Sequence, residues 1–103
     1  MSRRVLVEHT DLHLGIATAR ALHDAGYAVA TCPGPKFGDP CPLLRGRECS
    51  LAKRAHVIVS NLKAHPDGQC IAAALRAHHP RVPLVRNVEP EDAPAAVHAA
   101  LGH

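Results

Sequence analysis

The stretch RVLVEHTDLHLGIATARALHDAGYAVAT, residues 4–31, decides the fold. Its first five residues, Arg4 to Glu8, are a short β-branched and leucine-rich run that reads as a strand. From Asp11 to Ala25 the apolar positions Leu14, Ala17, Ala21, Leu22 and Ala25 recur at helical spacing, and Gly26 follows as a stop. Tyr27 to Cys32 is a second apolar run. Strand, helix and strand in so short a space make a βαβ unit, whose two strands are parallel.

The remainder repeats the alternation. Ser50 to Arg54 predicts a short helix, and His56 to Asn61 a third strand whose uncharged centre marks it as buried on both faces. After HPDG, residues 65–68, the positions Ile71, Ala74, Leu75 and His78 form one helical stripe. Val82 to Val85 predicts a fourth strand. Pro90, Glu91 and Asp92 open a last helix, with Ala93, Val97, Ala100 and Leu101 on its buried stripe. The pattern predicts an α/β fold of one domain over residues 1–103: a three-layer sandwich on a four-stranded parallel sheet of order 2-1-3-4. Such sheets bind ligands outside the carboxyl ends of their strands, here the loops after Glu8, Cys32, Asn61 and Val85.

Composition narrows the function. Of the 103 residues 47% are hydrophobic, yet there is no Trp and a single Tyr and Phe, so the core must be Ala, Val, Leu and Ile. A formal charge of +3 is spread over scattered Arg and Lys, with no basic run and no interleaved aromatics, so nucleic-acid binding is not expected. Behind Arg3 and Arg4 only three apolar residues precede Glu8, too few for a signal-peptide core or a membrane span. The expectation is a cytoplasmic protein, and the richness in Ala, Arg, His and Pro suggests a GC-rich bacterial genome.

One stretch breaks the alternation. CPGPKFGDPCPLLRGREC, residues 32–49, holds three cysteines, four prolines and three glycines. Cys32 would end the second strand on the carboxyl face, Cys41 sits within the loop, Cys49 opens the short helix, and Cys70 lies in the first turn of the next. All four thiols can approach one region, as zinc or an iron–sulfur cluster requires, with His9 or His65 replacing one of them. No CxxC occurs, so two other readings stand beside that one: a reversible disulfide between Cys41 and Cys49, and cysteines serving as small hydrophobes, Cys32 at the end of a buried strand and Cys70 beside an apolar stripe. Arg45, Arg47, Lys53 and Arg54 form a small basic patch around the loop. Glu8, His9, Asp11 and Asn61 are candidates for an acid/base or metal site, or for helix caps. His78 and His79 read as an ordinary helix end.

Residues 4–31, together with AHVIVSNL at 55–62 and VEPEDAPAAVHAAL at 88–101, resemble the receiver domains of bacterial response regulators, with their flavodoxin-like fold. That resemblance implies a signalling module, and it implies where phosphoryl chemistry would sit. The phosphoacceptor position matches Asn61, whose amide cannot form an acyl phosphate. The acidic pair that holds Mg²⁺ is reduced to Glu8 with His9 beside it, and the fifth strand with its lysine is missing. The resemblance therefore implies a degenerate pseudo-receiver with its site at Glu8, His9 and Asn61, which acts through a protein partner or by self-association. The expectation is a regulatory or interaction module, not an enzyme, whose cysteine loop is a metal, cluster or redox site. A small thiol-dependent redox or metal enzyme and an inert scaffold remain the alternatives.

Overall fold

The computed structural model describes residues 3–32, 49–61 and 68–102, the side chains of 68–70 excepted. Strands β1 (Arg4–His9), β2 (Ala28–Cys32), β3 (Val57–Asn61) and β4 (Leu84–Arg86) form one sheet of order β2-β1-β3-β4. All three pairings are parallel. Helices α1 (Leu12–Asp24), α2 (Ser50–Arg54), α3 (Gly68–His78) and α4 (Ala93–Ala100) connect and follow them. The fold class and strand order are those the alternation predicts. No helix among the described residues is long and apolar enough to cross a membrane.

Side chains alternate across a strand, so a strand covered on both faces feeds two cores. Val5, Val7, Val57 and Val59 pack with Leu22 of α1 and Ala93 and Val97 of α4. Leu6 and Ile58, one residue out of phase, pack with Ala52 of α2 and Ile71 and Leu75 of α3. The structure is thus three layers, with α1 and α4 on one face and α2 and α3 on the other.

Several elements differ from the sequence expectation. The buried residues of α1 are Gly15, Thr18 and Leu22, while Leu14 is 43% exposed and Ala17 and Ala25 face solvent. Small residues let α1 approach the sheet, and the Thr18 hydroxyl remains satisfied by donating to the Leu14 carbonyl at 2.7 Å. Strand β2 is an edge strand with only Val29 and Cys32 half-buried, so Cys32 does not end a buried strand. Strand β4 starts two residues late because Val82 still belongs to the turn after α3, its N–H donating to the His79 carbonyl at 3.1 Å. Pro83, which has no N–H, only accepts, from Ile58.

Helix ends follow their chemistry. Asp11 caps α1 by accepting from the Leu14 N–H at 3.2 Å. Gly26, at φ +98°, ends it in a Schellman motif, with Gly26 N–H donating to His23 and Tyr27 N–H to Leu22. Pro90–Asp92 form a 3-10 turn before α4 rather than its first turn.

Gly15 sits where α1 crosses the His9 ring, and a Cβ there would lie 2.5 Å from His9 Cγ. Gly to Ala inside a helix ordinarily gains up to about 1 kcal/mol. Here Gly15→Ala is expected to lose about 1–3 kcal/mol in a urea melt through overpacking. His9→Ala in the same chain should recover most of that loss.

Candidate functional site

Where β1 and β3 end, their last residues pair as Glu8 with Ser60 and His9 with Asn61. Paired residues of a parallel ladder share a face. Ser60 and Glu8 thus lie on the α2 and α3 side, and Asn61 and His9 on the α1 and α4 side. The structure places His9 and Asn61 in the wall of a cavity of about 220 Å³, with Asp11, Leu14, Asn87 and Glu89 around them. Glu8 is not in that wall.

Asn61 is held at both ends of its amide. Its Nδ2 donates to the Val88 carbonyl at 3.2 Å, and its Oδ1 accepts from the Val88 N–H at 3.1 Å. One residue earlier, Ser60 carbonyl accepts from the Asn87 N–H at 3.0 Å. Asn87 has φ 56°, the left-handed conformation that Asn tolerates better than most residues with a side chain. The β4–α4 corner is therefore sewn to the end of β3, and the cavity floor is a fixed turn.

Glu8 is 3% exposed. Ser60 hydrogen-bonds its carboxyl, while Oε1 has no partner among the described residues. Burial raises its pKa above the ordinary 4.5, and the Ser60 bond only partly opposes this. Magnesium takes several hard oxygens in octahedral array. With Glu8 on the opposite face and Asn61 occupied, these residues do not fit that ion, and no three His, Cys, Asp or Glu among the described residues group to hold a metal.

Of the four cysteines, Cys32 and Cys49 are half-buried and pack against the same cluster around Leu6 and Ile58. Cys41 lies outside the described residues, as do His65 and the patch residues Arg45 and Arg47, and so does the side chain of Cys70. His79, which the sequence presents as an ordinary helix end, is instead 7% exposed, and its Nε2 accepts from the Cys49 N–H at 3.0 Å. That bond puts the imidazole proton on Nδ1 and fixes the start of α2. Nothing local distinguishes His79 from exposed His78; only the direction of the turn into Pro80 does.

The Glu8 shift carries a sign. A carboxyl with a raised folded-state pKa gives its full stability below the unfolded value near 4.5 and loses it as pH rises through the folded value. Urea melts across that window are expected to show stability falling with pH. Glu8→Gln should remove this slope and be more stable than the wild type at neutral pH. An unchanged slope would place its source elsewhere.

No protein-family model matches the chain, and no curated protein matches it by sequence. Two solved structures share its fold. A de novo designed Rossmann-fold protein superposes with a TM-score of 0.60 at 17% identity, over 100% of both chains. A response regulator receiver protein from Pseudomonas putida superposes with a TM-score of 0.56 at 18% identity, over 97% of this chain and 80% of its own. The chain has the receiver-like, Rossmann-like α/β architecture.

Proposed function

We propose that the protein is a non-enzymatic regulatory or interaction module on a receiver-like fold, in which the corner that carries phosphoryl chemistry in receivers is a structural lock. The observation that carries this reading is the two-way bond between the Asn61 amide and the Val88 backbone. A group that must accept a phosphoryl needs an ionised oxygen turned to solvent. Asn61 offers an amide whose oxygen and one N–H are bonded inside the fold. The module then signals by binding a protein partner, with no covalent step at this corner.

A second reading concerns the cysteines. Cys32 and Cys49 bracket residues 33–48 and pack against one cluster. Their common location supports a zinc, iron–sulfur or redox role in which ligation or oxidation fixes the intervening segment and release frees it. Metal and labile-sulfide content of protein purified without oxygen tests it. Bound metal lost in the Cys41→Ser, Cys49→Ser double variant supports a metal or cluster. Four freely titrating thiols with no metal end that part of the reading.

For the leading reading, the wild-type chain incubated with acetyl phosphate and magnesium is expected to keep its intact mass. A phosphoryl increment would overturn it. Asn61→Ala is expected to cost about 1–3 kcal/mol in a urea melt, because the Val88 N–H and carbonyl lose their partners.

A further inference from the structure

Among the described residues the edge of the sheet at β2 is uncovered. Edge strands are commonly protected by charges, prolines or bulges. Strand β2 reads Ala-Val-Ala-Thr-Cys, with none of these. The Ala28 N–H donates to the Arg3 carbonyl at 2.9 Å, toward β1. By the two-residue alternation of a strand, Val29 and Thr31 turn their N–H and carbonyl groups away from the sheet. Among the described residues no strand pairs with that edge.

Both faces of this edge are grooved. On the α1 side Leu12, Ile16 and Ala19 face Val29 and Thr31 across a space of about 420 Å³. On the α2 side Leu51 and Ala55 face Ala30 across about 240 Å³. Leu12, Ile16 and Leu51 are 64%, 49% and 40% exposed. The two helices thus flank the edge from opposite faces and leave a slot along it whose walls are mostly apolar.

We propose that this slot receives an extended segment of a partner protein as a fifth strand, and that the segment carries both apolar and acidic residues on each of its two faces. Main-chain bonds to Val29 and Thr31 would supply affinity, and side chains falling alternately into the two grooves would supply specificity. Charge selects the occupant. Arg20 lines the first groove and Arg4 and Arg54 the second, neither wall holds an acid, and none of the three has an ion-pair partner among the described residues. A second copy of the chain would bring the same arginines together, whereas a carboxylate-bearing strand meets them with opposite charge. This goes beyond the lock at Asn61 and does not depend on it: phosphorylation of the wild type would end that reading and leave this slot as it is.

The test pans a phage-displayed library of short random peptides on the immobilised full chain, then titrates a labelled synthetic copy of an enriched sequence. The expected sequences carry apolar and acidic residues at both odd and even positions, and the bound peptide slows amide exchange at Val29 and Thr31. Val29→Pro, which removes an outward N–H and no bond to β1, should weaken binding about tenfold or more, as should the Arg20→Glu, Arg54→Glu double variant at low salt. Should Val29→Pro fail to fold, the charge reversal and the exchange data decide. Enrichment of basic sequences or of none, binding indifferent to both variants, or a dimer of the chain alone with Val29 and Thr31 already protected would each overturn the proposal.

Discussion

Burial of β1 and β3 on both faces is the constraint from which the rest follows. Val5, Leu6, Val7, Val57, Ile58 and Val59 are all at most 1% exposed. A strand without a wet face has nowhere along its length for a polar side chain except its end. That is why Glu8, His9, Ser60 and Asn61 appear together at the carboxyl end, and why that end is where the fold can carry chemistry. The same two-sided burial requires a helix on each face, and the small side chains of α1 let it approach closely enough to supply one.

At that end the polar groups are spent on structure. The Asn61 amide and the Ser60 carbonyl hold residues 87 and 88, so the left-handed turn at Asn87 is fixed from β3. Glu8 faces the other way, its Oε1 without a partner among the described residues, and burial penalises its ionised form. The corner is therefore rigid, a turn held to β3 by three hydrogen bonds.

Much of the fold was legible because apolar periodicity reports burial directly. The runs at 4–8 and 56–61 read as central strands, and the spacing of Ala93 and Val97 read as the inner face of α4. The failures have physical causes. The apolar stripe of α1 pointed to Leu14, but Gly15 and Thr18 face the sheet because they are small, and smallness is not hydrophobicity. Strand β2 looked buried because Ala and Val are apolar, while strand order puts it at an edge. Strand β4 starts late because Val82 is still bonded into the turn after α3. The polar corner was legible only as a set of candidates. Period-two alternation already assigns Glu8 and Asn61 to opposite faces once the register is known, but register is a tertiary fact, and so is the Val88 partner of Asn61, 27 residues away.

The exposed β2 edge and the cysteine-bracketed segment share a boundary at Cys32. That residue closes β2 and packs on the α2 and α3 face, while Cys49 opens α2, whose Leu51 forms one wall of the edge slot. Anything that fixes Cys49 fixes the start of α2, and His79 already does so through the Cys49 N–H. The cysteine-bracketed stretch and the β2 edge thus meet at α2, which is five residues long and buries Ala52 in the core.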